Sequence, residues 1–143
     1  MKVRKKPLKV LGPFGDNKDV EAIQEVILSG WWGKGPKVQE FEEKFAELVG
    51  AKHAIAVTSN SHGQDLVMKA MGFKGIDIIN PTMSFVATAV IPLWNDCTSN
   101  IVDVDKVNLN MTVEEVDKWK KPNSEALIAV NMAGIPAPID EIR

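Results

Sequence analysis

The sequence is short of several things, and each shortage excludes a class. It has one cysteine, Cys97, so no intramolecular disulfide can form. No apolar run approaches the ~20 residues that a membrane-crossing helix needs. Neither sign of charge dominates: the net value is −2, so bulk electrostatics do not point to nucleic acid. There is no internal repeat and no low-complexity tract. The glycines and lysine of a P-loop are absent, and so is the glycine spacing of a dinucleotide fingerprint. A cytoplasmic location is the expectation, with no nucleic-acid or membrane partner.

What remains is ordinary for a globular chain. The 143 residues are 45% hydrophobic and 25% charged, near the size of one domain and long enough to bury a core. The opening MKVRKKPLK is basic and has no apolar stretch behind it. Residues 1–15 are expected to be a solvated arm rather than a signal peptide.

Apolar spacing predicts helices over 16–29 (Val20, Ile23, Val26 and Ile27 on one face) and 38–49 (Val38, Phe41, Phe45 and Leu48), stopped by Gly30 and Gly50. Between them lies a Gly/Pro-rich loop, GWWGKGPK. The pattern then changes to short apolar runs, read as strands, at 53–58, 76–80, 100–104 and 126–130. Helices are expected between them. The first covers 63–71 with Leu66, Val67, Ala70 and Met71 inward. The second covers 84–94 and is kinked or ended by Pro92. The third covers 112–119, with Thr112 and Glu115 in capping-box positions. Wholly apolar strands spaced by helices imply an α/β fold, a mostly parallel sheet with helices on both faces. After the last strand Asp140 has the look of an N-cap, yet only three residues follow. The chain is therefore expected to be the front part of a longer protein.

In such sheets ligands bind at the carboxyl ends of strands. The stretch VTSNSHGQDL passes from an apolar run through small polar residues into a helix. Unpaired N–H groups and the helix dipole make that junction an anion site. Ser59 and Ser61 add hydroxyls, and Asn60 tolerates a left-handed backbone. The alternative is a plain cap. Phe85, after the second strand, is either a ring platform at the same edge or core. Asp103 and Asp105 are metal or acid/base candidates, or loop solvation. His53 is expected to be a structural edge residue, and His62, beside the anion junction, is the better functional candidate. Trp31 and Trp32 suggest a binding or interface loop.

Taken in order, these segments resemble one family, the DegT/DnrJ/EryC1/StrS family of pyridoxal-phosphate-dependent sugar aminotransferases. SGWWGKGPKVQEFEEKFAELVGAKHAIAV is similar to its opening helix, glycine loop and "fE..fa...g.khav" segment. TSNSHGQDLVMKAMG is similar to "S-G-T-x-A-L…A-L-G", and INPTMSFVATA to "v.P..TFvAT". IVDVDKVNLNMTVEEV resembles "f.DvD..t.n.d...i", and ALIAVNMAGIPAPIDEI resembles "aii.Vh.yG.padmd.i". The departures are Asn60 for Gly, Gln64 for an apolar residue, Asp65, Gly75-Ile76-Asp77 for Gly-Asp-Glu, and Ala133 for Tyr.

The resemblance implies a type I aminotransferase fold, with residues 16–143 an incomplete large, cofactor-binding domain. It implies pyridoxal 5′-phosphate held by Ser59, Asn60 and Ser61, with Phe85 stacked on its ring. It places Trp32, Gly33, Lys34 and His62 at the substrate or at a homodimer interface. The reaction implied is transfer of an amino group from an amino acid, with glutamate expected, to a nucleotide-linked keto-sugar, as in polysaccharide biosynthesis. The Schiff-base lysine would lie beyond Arg143, so no catalytic residue is assigned and the chain alone is not expected to transaminate. The alternatives are a sugar dehydratase of the same family and a non-catalytic phosphate-binding module.

Overall fold

Glycine ends each of the three long helices, because only a left-handed residue lets the chain turn off the last carbonyls. Gly30, Gly50 and Gly72 have φ of 75°, 67° and 67°. The structure, a computed structural model, describes residues 12–143; residues 1–11 of the expected arm lie outside the described residues. Two compact units divide after Ala56.

The first unit holds α1 (Asn17–Ser29) and α2 (Pro36–Val49). Asp16 caps α1 through a complete capping box with Asp19, and Pro36 opens α2 with a fixed φ. The amphipathic stripes form as the spacing predicts, but nothing described covers them: Val20, Ile23, Ile27, Phe41 and Leu48 are all exposed.

The second unit holds α3 (Asn60–Met71), β1 (Asp77–Pro81), α4 (Ala87–Trp94), β2 (Thr98–Val102), α5 (Val113–Trp119), β3 (Ser124–Leu127), a 3₁₀ turn (Met132–Gly134) and α6 (Ile139–Ile142). The strands make a parallel sheet in the order β2-β1-β3. Every residue of the central β1 is buried, as expected where both edges and both faces are covered. Met68, Ile78, Ala87, Ile91 and Cys97 pack on one face; Ile79, Val102, Met111 and Val116 pack on the other. The α/β class and the helices on both faces are as the sequence implied.

Four local expectations fail. Residues 53–58 form no strand, since a β-branched run becomes a strand only against a partner edge, and none is offered to it among the described residues. His53 is accordingly not a strand-edge residue. The inward face of α3 is centred on Met68, while Leu66, Val67 and Met71 are exposed. α4 contains Pro92 and ends at Trp94, the residue at which the sequence placed its end. The last helix is one turn that starts at Ile139, after Pro138, so Asp140 is inside it and does not cap it. Ile142 packing against the Val102–Val116 cluster offsets the poor intrinsic stability of so short a turn.

The Thr112 capping box forms by half. Thr112 Oγ1 accepts from the Glu115 N–H at 3.2 Å, while the Glu115 carboxylate turns instead to Lys118 Nζ at 3.0 Å and Trp119 Nε1 at 2.9 Å. Thr112→Ala should lower stability by about 1 kcal/mol in urea unfolding, the ordinary cost of losing such a cap.

Candidate cofactor site

The VTSNSHG junction becomes the start of α3. Ser59 is extended (φ −161°, ψ 162°) and its Oγ accepts from the His62 N–H at 3.2 Å. The Gly63 N–H is taken by the Ser59 carbonyl. That leaves the N–H groups of Asn60 and Ser61, the first two of the helix, with no bond among the described residues. They carry the positive end of the helix dipole, and no acidic side chain occupies the first turn to neutralise it. The left-handed backbone anticipated at Asn60 does not occur: Asn60 is the first helical residue, and it is absent from the positive-φ set of Asp96, Leu109 and Ala133. Its Oδ1 accepts from Gln64 Nε2 at 2.6 Å.

His62 closes the junction from the other side. Its Nδ1 lies 2.7 Å from Thr58 Oγ1 and 3.0 Å from Ser59 Oγ. A ring braced by two hydroxyls holds the loop at the helix start. On the next turn Asp65 bonds Lys69 Nζ at 2.6 Å and Asn95 Nδ2 at 2.9 Å. The Lys69 bond, then the Asn95 bond, hold its carboxyl below the usual range.

Phe85 follows β1 on the loop into α4. It is 75% exposed, with no core packing among the described residues. Behind it Ser84 Oγ bonds Thr88 Oγ1, and that bond pins the loop that presents the ring.

The candidates Trp32, Gly33 and Lys34 lie in the first unit. Trp32 is exposed, and its Nε1 donates to the Ile27 carbonyl at 3.1 Å. Lys34 pairs with Glu42 at 3.3 Å. With Gly33 these residues belong to the loop between α1 and α2. Beside it, Glu25, Val26, Trp31, Trp32, Gly35 and Pro36 line a cleft of about 500 Å³. A side chain at Gly35 would meet the Trp31 Cβ at 3.1 Å, so glycine lets that ring close on the backbone.

Asp103 and Asp105 take the loop-solvation role. Asp103 accepts from the Val104 N–H at 2.9 Å, and Asp105 from those of Val107 at 2.8 Å and Asn108 at 2.9 Å. The Asn108 bond, then that of Val107, lower the Asp105 pKa. Among the described residues no cluster of three His, Cys, Asp or Glu side chains is placed to hold a metal ion, and no helix is long and apolar enough to cross a membrane.

Two polar groups that the sequence reading did not single out are fully buried in β1. Asp77 accepts from Lys121 Nζ at 2.7 Å, Ser124 Oγ at 2.6 Å, Asn100 Nδ2 at 2.8 Å and Thr98 Oγ1 at 3.0 Å. Burial pushes its pKa up, but these four bonds outweigh that and bring it to about 2. Asn80 donates to Ser99 Oγ and to the Ile78 carbonyl. The available signal was an Asp and an Asn inside the apolar run IDIIN, where a polar residue needs built partners.

Fold and site together describe an α/β protein with a parallel sheet and, at the start of α3, two N–H groups that have no partner among the described residues. The family model of the DegT/DnrJ/EryC1/StrS aminotransferase family matches residues 13–143, and the chain belongs to that family. The fold is that of its solved members. The chain is 25% identical to an aminotransferase from Psychrobacter cryohalolentis, covering 91% of this chain and 34% of that one, with a TM-score of 0.85. It is 30% identical to the E. coli GDP-4-keto-6-deoxy-D-mannose-3-dehydratase with bound hydrated PLP, covering 92% and 36%, with a TM-score of 0.85. It is 29% identical to a 3-amino-5-hydroxybenzoic acid synthase, covering 96% of this chain and 37% of that one, with a TM-score of 0.87. The chain thus spans about a third of the length of the solved structures it matches.

Proposed function

We propose that residues 16–143 are the front part of the cofactor-binding domain of a pyridoxal-phosphate-dependent enzyme that moves an amino group from an amino acid, with glutamate expected, to a nucleotide-linked keto-sugar. The observation that carries this reading is the α3 terminus, whose two free N–H groups and Ser59 and Ser61 hydroxyls follow an extended segment. That donor set fits a phosphate ester. Asn60 and Ser61 would hold the phosphate by their N–H groups, and Ser59 keeps the terminus open by capping His62 instead. Phe85 would lie against the pyridine ring. The cofactor, once bound, supplies the electron sink for breaking a bond to hydrogen at the donor's α-carbon. This chain's own part is to bind and orient it; the proton-moving lysine belongs elsewhere in the whole protein. The loop holding Trp32, Gly33 and Lys34, and His62, serve the substrate or a homodimer interface in this reading.

A second reading, a sugar dehydratase, is favoured by one observation: the GDP-4-keto-6-deoxymannose-3-dehydratases match at 29–30% identity, above the 25% of the aminotransferase from P. cryohalolentis. Incubating the full-length protein with pyridoxal phosphate, glutamate and a nucleotide-linked keto-sugar, followed by mass spectrometry, separates the readings. An amino-sugar product supports the first; loss of an oxygen from the sugar ring supports the second; neither product, with no cofactor bound, leaves the non-catalytic module.

Phe85→Ala isolates the ring contact. With the side chain 75% exposed, melting should hardly move, while cofactor affinity should fall about tenfold. Unchanged affinity in a spectrophotometric titration would remove Phe85 from the site.

A further inference from the structure

Among the described residues, two buried side-chain atoms lack a hydrogen-bond partner, and both are carboxamide oxygens: Gln64 Oε1 and Asn80 Oδ1. The Asn80 amide is anchored through its nitrogen, and the Gln64 amide pairs with that of Asn60. Asn80 Nδ2 donates to Ser99 Oγ at 3.0 Å and to the Ile78 carbonyl at 3.2 Å. Exchanging its nitrogen and oxygen would set the amide oxygen against that carbonyl. Gln64 Nε2 donates to Asn60 Oδ1 at 2.6 Å.

Gln64 and Asn80 both flank one core cluster, that of Met68 and Ile78. Asn80 lies two residues beyond Ile78, on the same face of β1, ~6.6 Å toward the carboxyl end. Gln64 lies four residues before Met68, on the same side of α3, ~6 Å toward its N-terminus. Met68 and Ile78 share a core cluster, and α3 returns into β1 through the short connection 72–76. By these ideal rises Gln64 and Asn80 each stand about one step beyond that cluster, Gln64 toward the start of α3 and Asn80 toward the carboxyl end of β1.

We infer that one buried water molecule bridges Gln64 Oε1 and Asn80 Oδ1 and makes both residues positioning residues for the α3 terminus. Two acceptors cannot satisfy each other, and burial makes leaving both unpaired unfavourable. Water offers two O–H groups to two acceptors in a polar pocket, the condition for an ordered internal site. A cation suits the position badly, because the positive end of the α3 dipole is adjacent. The bridge completes a relay from Ser99 on β2, through Asn80, the water and Gln64, to Asn60, the first residue of α3. The sheet would thereby fix the turn whose N–H groups face the phosphate. This last step rests on the phosphate reading above; the water itself does not.

The test is a crystal structure of the full-length protein, together with the variants Asn80→Val, Gln64→Leu and the double substitution. A water within about 2.6–3.2 Å of both oxygens is expected. Each single variant should bind pyridoxal phosphate about 3- to 10-fold more weakly. The double variant should be no weaker than either, since both changes break one bridge. Melting should stay within a few degrees, because the replacements conserve volume. A direct Gln64–Asn80 hydrogen bond, or a dry gap between them, overturns the bridge. Additive losses, or affinity that falls only in step with melting, overturn the positioning role. If the wild-type protein binds no pyridoxal phosphate, the phosphate reading falls, and the crystallographic water still decides the bridge.

Discussion

Asp77→Asn should lower the free energy of unfolding by about 3 kcal/mol, the low end for breaking a buried charge pair. The register of the sheet explains why one carboxylate matters so much. Thr98 stands opposite Asp77 on β2 and Ser124 opposite it on β3, with Asn100 two residues on along the same face. Four donors, from β2, β3 and the turn that leads into β3, converge on two oxygens, so the carboxylate ties the sheet together at the amino end of β1. An amide in its place turns an N–H₂ toward those donors and leaves Lys121 without its partner. The effect stays at the low end because the Lys121 side chain is 52% exposed and regains water. Urea unfolding of wild type against variant is the measurement, and a difference below about 1 kcal/mol would show that the network contributes little.

The same group sets a pH dependence. Its pKa in the folded state, about 2, lies below the ordinary 3.8. The stabilisation is therefore complete above about pH 4 and is lost as pH falls toward 2, because the unfolded chain takes up the proton first. The half-solvated ammonium weakens its share, which leaves about 1–2 kcal/mol that should disappear over this window. Asp77→Asn should lack that acid-dependent loss. The gap between wild-type and variant stabilities should thus narrow by about 1–2 kcal/mol between pH 4 and pH 2.

Ser61→Asp should separate folding from function by moving them in opposite directions. Position 61 lies in the first turn of α3, where no acidic side chain stands. A carboxylate there meets the positive end of the dipole and should leave stability unchanged or raise it by about 0.5 kcal/mol. It also occupies the place proposed for a phosphate. Two anions about 5 Å apart at an effective dielectric near 20 repel by roughly 3 kcal/mol per charge pair, so affinity for pyridoxal phosphate should drop at least about 100-fold. Ser61→Ala, which removes only a hydroxyl, should lose far less. If the full-length Ser61→Asp protein binds pyridoxal phosphate within about threefold of wild type, the α3 terminus is not the phosphate site.

Both predictions concern residues that the sequence exposed unequally. Ser61 was legible because a helix start after an apolar run is a local pattern; the stop at Gly72 formed as read, while the helix began at Asn60, three residues before the expected Gly63, with Ser59 as its cap. Asp77 was not legible as a network centre, because its partners lie between 21 and 47 residues away and meet only through strand register. Phe85 shows the same division. Its place after the second strand could be read, but whether the ring was core or open could not, since that depends on which neighbours arrive.

The sequence by itself determined the parts whose causes are local: glycine stops at 30, 50 and 72, the cap at Thr112, the apolar run of β1 ended by Pro81, and the order of motifs that marks the family. The tertiary structure decided what needs a partner. It left residues 53–58 without a ladder, centred the inner face of α3 on Met68, gave the last turn its footing through Ile142, and gathered four donors on Asp77. The physical reason is common to all four. Caps and stops bond within one turn of chain, whereas strands, buried faces and buried charges are satisfied only by groups that folding brings from elsewhere.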